Sequence, residues 1–127
     1  MTFLLDNMIS PKVAAALRAL EQDAWALREK FAGNTPDSQW IAELGSRGWA
    51  LVTFDKRILS RPHEVAILKQ GQVTAFFLGP FFRKYTFWDQ AVWIIRYWPK
   101  LVNMAQTISR GTCFRVQQNA KMTPIGI

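Results

Sequence analysis

The fold is decided by the opening stretch Phe3-Leu4-Leu5-Asp6-Asn7-Met8-Ile9-Ser10-Pro11. Its first three residues are apolar and lead directly into Asp6, which is the pattern of a short buried strand with polar residues at its exit. Ser10 and Pro11 then supply an N-cap and a proline at the first helical position, and apolar residues follow at helical spacing. The stretch predicts a central strand, an acid at its end and a returning helix.

The same pattern recurs further along the chain. Thr35-Pro36-Asp37 repeats the cap-and-proline signal and predicts a second helix, which Gly45 and Gly48 should end. The apolar run at residues 50–54 predicts another buried strand, and it ends at Asp55 as the first strand ends at Asp6.

The remaining elements are predicted to alternate between strand and helix. They are a strand at 24–27, a loop at 28–34, a helix from Pro62, a strand at 73–78, a helix opened by a capping box at 86–89, and an edge strand at 111–116. Pro99 should kink or break the last helix. Such alternation predicts an α/β fold, with a single doubly wound domain and a mostly parallel four- to five-stranded sheet flanked by helices. The domain should span residues 1–116, and residues 117–127 should form a flexible tail.

Composition limits the class of protein. Half of the residues are apolar and a fifth are charged, as in globular proteins, and 127 residues fit one domain. Cys113 is the only cysteine, so it cannot form an intrachain disulfide and is expected to be a small buried hydrophobe. No signal-peptide pattern opens the chain, and charges interrupt its most apolar region, so we expect a cytoplasmic protein with no membrane association. The formal net charge of +7 favours a polyanionic partner such as RNA, although it could serve solubility alone.

Three acids are predicted to converge at one edge of the sheet. Asp6 and Asp55 follow parallel strands, and Asp37 lies in the first turn of a helix that should start at the same edge. Their mutual repulsion would require a cation, and oxygen ligands suit Mg²⁺ or Mn²⁺. Each acid also has a structural explanation, since Asp37 could favour the helix dipole and the others could form turns. Their joint placement favours a metal site.

These motifs resemble the opening of PIN-like domains. The stretch at residues 3–11 is similar to their first strand and helix start, Pro36-Asp37-Ser38-Gln39-Trp40-Ile41 to their acidic helix start, and residues 51–58 to a strand that delivers another metal-binding acid. The resemblance covers about residues 2–80.

The resemblance implies a Mg²⁺- or Mn²⁺-dependent endoribonuclease, as in the VapC-type toxins of bacterial toxin–antitoxin pairs. Asp6, Asp37 and Asp55 would then be the metal ligands and the catalytic residues. A cognate antitoxin and a second copy of the chain, in a homodimer, would be the protein partners.

The sequence also departs from the pattern of the family. Many PIN-like domains have a fourth acid near the site, and none can be identified in the sequence. Glu64 is expected only to favour the N-terminus of its helix, and Glu43 is expected to point away. A non-catalytic RNA- or protein-binding module with a degenerate site is therefore the alternative function.

Basic residues accompany the predicted acids. Lys12, Lys56 and Arg57 are the candidates for binding the phosphates of the substrate, with ordinary surface charge as the alternative. His63 is expected to be a surface residue rather than a general base. Residues 81–100 mix aromatic and basic side chains, which could clamp single-stranded RNA or receive an antitoxin helix. The interpretation that we favour is that these aromatic residues form the core or dimer contacts.

Overall fold

The computed structural model describes all of residues 1–127. In chain order its elements are β1 (Phe3–Leu5), α1 (Pro11–Ala19), β2 (Ala24–Ala26), α2 (Leu27–Lys30), α3 (Asp37–Arg47), β3 (Ala50–Thr53), α4 (Arg57–Ser60), α5 (Pro62–Gly71), β4 (Ala75–Leu78), α6 (Pro80–Lys84), α7 (Phe87–Thr107), β5 (Cys113–Val116) and β6 (Met122–Ile125). The predicted α/β fold is confirmed. The sequence does not predict α2, α4 and α6 as helices, because helices of about one turn carry no apolar repeat.

The six strands form one sheet in the order β2-β1-β3-β4-β5-β6. All neighbouring strands are parallel except β5 and β6. The order moves outward from β1 in both directions, which makes the sheet doubly wound. As a result, the carboxyl ends of β1 and β3, where two of the predicted acids lie, are adjacent.

Side chains alternate between the two faces of the sheet and build two cores. Phe3, Leu5 and Phe76 face the core that α1 and α7 cover, whereas Leu4 and Leu51 face the core under α3 and α5. Both faces are therefore buried, which explains why the central strands have unbroken apolar sequences. No helix is long and apolar enough to cross a lipid bilayer.

The prediction of a flexible tail at residues 117–127 is wrong for β6, which pairs antiparallel with β5. A tight turn joins the two strands: the Gln117 N–H donates to the Lys121 carbonyl over 2.9 Å, and Ala120 adopts a positive φ of 64°. Pro124 is tolerated because β6 is the edge strand, where a missing N–H costs no ladder bond. The short strand was missed because an antiparallel edge needs only this brief turn and carries a weak apolar pattern.

Of the kink or break predicted at Pro99, the break does not occur, because α7 runs continuously from Phe87 to Thr107. Proline inside a helix typically costs about 3 kcal/mol. Trp98 and Leu101, on either side of it, are buried in the core while Pro99 itself is exposed. Burial of these large side chains on both sides holds the helix together against its local preference.

The contact between α3 and α5 depends on two glycines. An added Cβ at Gly45 would lie 2.7 Å from the Cα of Gly71 and 2.8 Å from its carbonyl oxygen. Both atoms belong to the backbone, so they cannot move aside without shifting a helix. Since α3 begins with Asp37 and α5 contains Glu64, this contact also fixes the relative positions of two acids.

We expect Gly45→Ala to lower the free energy of unfolding by about 1–3 kcal/mol, because the methyl group forces the two helices apart. Urea denaturation followed by circular dichroism measures the change. Gly33→Ala is the matched control, since nothing lies within 4 Å of its added Cβ. Equal stability of both variants would show that the helices accommodate the methyl group.

Candidate functional site

The structure places the three predicted acids at the carboxyl edge of the sheet. Asp6 follows β1, Asp55 lies two residues beyond the end of β3, and Asp37 is the first residue of α3. Asp6 and Asp55 are both buried, with 7 % of their surface exposed, whereas the side chain of Asp37 is 44 % exposed. The charges of Asp55 and Asp37 both act on Asp6 and contribute to raising its pKa.

Thr53 connects two of these acids. Its hydroxyl group donates a hydrogen bond to Oδ2 of Asp6 over 2.7 Å and accepts one from the backbone N–H of Asp55 over 3.0 Å. Thr53 is fully buried at the end of β3. A single hydroxyl group therefore fixes the orientation of Asp6 and the path of the chain at Asp55.

Asp6 is the only one of the three acids that forms no ion pair. Besides the Thr53 hydroxyl group, its carboxylate accepts the backbone N–H of Asn7 over 2.7 Å. Burial raises the pKa of Asp6 above its ordinary value, and these two hydrogen bonds only partly oppose that effect. The fold therefore holds a buried carboxylate without a cation beside it.

Asp55 is bound by Arg57 in a fork. Nε of Arg57 donates to Oδ1 over 2.8 Å and Nη2 donates to Oδ2 over 3.0 Å, while the Arg57 backbone N–H donates to Oδ1 over 3.1 Å. The side-chain hydrogen bonds from Arg57 lower the pKa of Asp55 despite its burial. The side chain of Arg57 is itself 66 % exposed, so solvent and salt weaken the pair.

Arg61 joins Asp37 to a further acid, Glu64. Its Nη1 donates to Oδ2 of Asp37 over 3.3 Å and to both carboxylate oxygens of Glu64 over 3.2 and 3.3 Å. Asp37 also accepts a hydrogen bond from the indole of Trp40 over 3.0 Å. The expectation that Glu64 serves only the helix terminus is therefore incomplete, because it is buried and shares a cation with Asp37.

The donor chemistry of this edge suits a hard divalent cation, but the side chains do not surround one position. Asp6, Asp37 and Asp55 supply only carboxylate oxygens, the ligands preferred by Mg²⁺ and Mn²⁺. However, no group of three or more Asp, Glu, His or Cys side chains is close enough together to hold a metal ion. Arg57 and Arg61 engage two of the three carboxylates, so cation binding would require both arginines to move.

The other predicted site residues lie on the surface. Lys12 and Lys56 are exposed and form no ion pair, whereas Arg57 is engaged with Asp55 rather than free to meet a phosphate. His63 is exposed in the first turn of α5, as expected. Glu43 forms an ion pair with Arg47 one turn along α3. This pair explains the charge of Glu43, so no role at the carboxyl edge of the sheet is needed.

Sequence reasoning missed Thr53, Arg61 and the burial of Glu64. The spacing of three residues between Arg61, the N-cap of α5, and Glu64, in its first turn, was a usable signal for their ion pair. The link from Arg61 to Asp37 spans 24 positions in the chain and depends on the packing of α3 against α5. Cys113 is buried as predicted, and its burial raises the pKa of the thiol to about 11.

A doubly wound sheet with acids at its carboxyl edge defines the class of this protein as an α/β domain whose candidate site lies at the strand ends. The chain belongs to the family of PIN-like domains, which it matches over residues 1–80. This membership indicates a nuclease-type module. Neither the curated proteins nor the solved structures contain a match to the chain. The matched segment includes all three predicted acids and ends before α7.

The burial of Asp6 predicts opposite stability effects for two amide variants. Because its pKa is raised by folding, ionised Asp6 opposes folding at neutral pH, so Asp6→Asn should unfold at a higher urea concentration than wild type at pH 7 in a chelator. This advantage should fall as the pH is lowered through the raised pKa and vanish below about pH 4, as the unfolded carboxyl becomes protonated too.

Asp55→Asn should be less stable than wild type at pH 7, because the folded pKa of Asp55 is lowered by Arg57. That deficit should persist down to the ordinary pKa of an aspartate and close below it. Urea titrations at a series of pH values measure both curves. If the stability difference between Asp6→Asn and wild type stays the same over the whole pH series, folding does not raise the pKa of Asp6.

The Arg57 fork predicts competition between this arginine and a metal ion for Asp55. We expect Arg57→Gln to bind Mn²⁺ roughly two- to fivefold more tightly than wild type, the range that corresponds to losing an exposed ion pair. Isothermal titration calorimetry measures the affinity. Arg47→Gln removes the same charge from an ion pair on α3 and is the control. An unchanged affinity in Arg57→Gln would mean that Asp55 contributes no ligand.

Proposed function

We propose that this protein is a divalent-metal-dependent endoribonuclease that hydrolyses RNA phosphodiester bonds, and that it acts as the toxin of a bacterial toxin–antitoxin pair. The observation that carries the proposal is the buried carboxylate of Asp6, which has no cation partner although two further acids lie at the same edge. A purely structural role does not explain why a fold would keep such an arrangement. Membership of the PIN-like family and a net charge of +7 agree with a nuclease that binds RNA.

Asp6, Asp37 and Asp55 would hold Mg²⁺ or Mn²⁺. When bound, such an ion supplies a water nucleophile at neutral pH and neutralises charge on the phosphate. The Thr53 hydroxyl group keeps Asp6 in one orientation through its 2.7 Å hydrogen bond. Burial of Asp6 keeps competing water away from its carboxylate.

Arginines and lysines at the edge would then serve the substrate. Arg57 and Arg61, once released from Asp55 and Asp37, remain within reach of an RNA backbone at the same edge. A guanidinium group binds phosphate as well as carboxylate, because both present two oxygens to its fork. Lys12 and Lys56 are already exposed and would bind neighbouring phosphates.

The second candidate is a non-catalytic RNA- or protein-binding module. The specific observation in its favour is that Arg57 and Arg61 already compensate Asp55 and Asp37, and that no three acids gather closely enough to bind a metal ion. In that case the arginines are permanent parts of the fold, and the basic surface binds without cleavage.

A cleavage assay on a mixed pool of single-stranded and structured RNA distinguishes the ribonuclease from the binding module. We expect cleavage in millimolar Mg²⁺ or Mn²⁺, none in a chelator, and a rate at least ~100-fold lower in Asp6→Asn and Asp55→Asn, because each removes a carboxylate from the site. Glu43→Gln, a carboxylate on the same domain away from the edge, is the control and should cut like wild type.

No cleavage of any RNA by folded wild-type protein would favour the binding module. Metal-dependent cleavage that survives both Asp substitutions would show that another site carries the activity. Co-purification with the product of a small adjacent gene, with loss of cleavage in the complex, would support the toxin assignment. Cleavage that no such product inhibits would leave a nuclease without the toxin role.

A further inference from the structure

The first turn of α7 exposes aromatic side chains that the core does not use. Trp88 is 73 % exposed and Phe87 is 49 % exposed, whereas Trp93 and Trp98 on the same helix are buried. The interpretation of this region as core therefore holds for Trp93 and Trp98 but not for Trp88. Burying a tryptophan stabilises a fold, so two neighbouring aromatic residues left in water at a helix start are a candidate contact for a partner.

Two cations precede this pair in the chain. Arg83 and Lys84, at the end of α6, are both exposed and take part in none of the five ion pairs of the protein. The guanidinium carbon of Arg83 lies 5.8 Å from the ring centroid of Phe54, the residue before Asp55. We name Arg83, Lys84, Phe87 and Trp88 the aromatic–basic surface, and Arg83 places it beside the acidic edge.

A groove of about 330 Å³ continues this surface along α7. Tyr85, Trp93 and Tyr97 contribute aromatic rings to its wall, and Arg96 contributes a cation. Val92, which also lines the groove, lies one turn after Trp88 on the same helix face. The groove also contains one carboxylate, that of Asp89. Aromatic rings and the Arg96 guanidinium group therefore share the groove with a single acid.

We propose that the aromatic–basic surface binds single-stranded RNA, with a base stacked on Trp88 and the backbone phosphates held by Arg83 and Lys84. The proposal rests on the proposed ribonuclease function and adds to it the path and the form of the substrate. Unpaired bases can lie flat on an indole ring, whereas the bases of a duplex are already stacked on one another.

Charge and area argue for RNA over a second copy of this chain. A second copy would also carry +7, so it would be repelled from a surface that holds two unpaired cations. A stable protein interface buries about 800 Å² on each partner, which exceeds what Phe87, Trp88 and Val92 provide as exposed large apolar side chains. Exposed rings close in the chain to unpaired cations suit a polymer of bases and phosphates.

The test measures fluorescence anisotropy of labelled RNA in a chelator, with Asp6→Asn as the background so that no cleavage occurs. We expect Trp88→Ala to weaken binding of a single-stranded 12-mer roughly 5- to 150-fold, the range for loss of one stacked base. Trp88→Phe should retain most of the affinity, and Trp88→Leu should not, because leucine is apolar but has no ring to stack. Leu20→Ala, which also removes an exposed apolar side chain, is the control.

The same assay at several salt concentrations tests the cations. Changing Arg83 and Lys84 to Gln should reduce the slope of log affinity against log salt by about 1.4, since each phosphate contact on a single strand contributes about 0.7. Lys69→Gln, in the last turn of α5 where that helix returns to the opposite edge of the sheet, should leave the slope unchanged.

Equal affinity for single-stranded and duplex RNA, or unchanged affinity in both Trp88→Ala and Trp88→Leu, would overturn the proposal. So would a Trp88→Ala protein that changes its oligomeric mass while binding RNA normally, because the surface would then belong to a protein partner. The ribonuclease function can fail separately: wild-type protein that binds through Trp88 but cuts no RNA would support this inference and leave a binding module.

Discussion

Compensation of negative charge at the carboxyl edge is the constraint on which the rest of this site depends. Parallel strands bring Asp6 and Asp55 side by side, and the packing of α3 against α5 adds Asp37 and the buried Glu64. The mutual repulsion and the desolvation of such a cluster would oppose folding unless cations or hydrogen bonds compensated the carboxylates. Arg57 and Arg61 supply the cations for three of the acids.

The carboxylate of Asp6 has different partners from those of the other acids at this edge. It receives two hydrogen bonds from neutral donors and no cation, and its burial raises its pKa. Functional sites commonly keep groups that the fold alone would not select. The arginines therefore do two things at once: they stabilise the domain in its present form, and they occupy carboxylates that an added cation would need. The first role favours a stable protein, and the second would oppose the binding of a metal ion by these carboxylates.

The sequence was sufficient to predict the α/β fold and the location of the three acids at one edge of the sheet, because both follow from local patterns. The convergence of the three carboxylates on one position, which the sequence also predicted, is not present. A short apolar run followed by an acid reveals a strand and its carboxyl end, and a proline after a cap reveals a helix start. The contacts of Arg61 could not be predicted in the same way, since its link to Asp37 depends on how two helices pack across their glycines. Pro99 shows the converse case. A proline is a strong local signal for the end of a helix, but the burial of Trp98 and Leu101 keeps α7 continuous through it.

The part of the chain beyond the family match carries the aromatic–basic surface. Residues 1–80 contain the acids, but α7 and β5 complete the core on the other face of the sheet, with Trp93, Trp98 and Phe114. An element needed only for that core would expose polar residues on its outer side. The first turn of α7 exposes Phe87 and Trp88 beside the acid Asp89, and Arg83 and Lys84 precede it at the end of α6. Since function is carried by sites placed on a shared fold, this segment is where binding preference would differ between domains that have the same acidic edge.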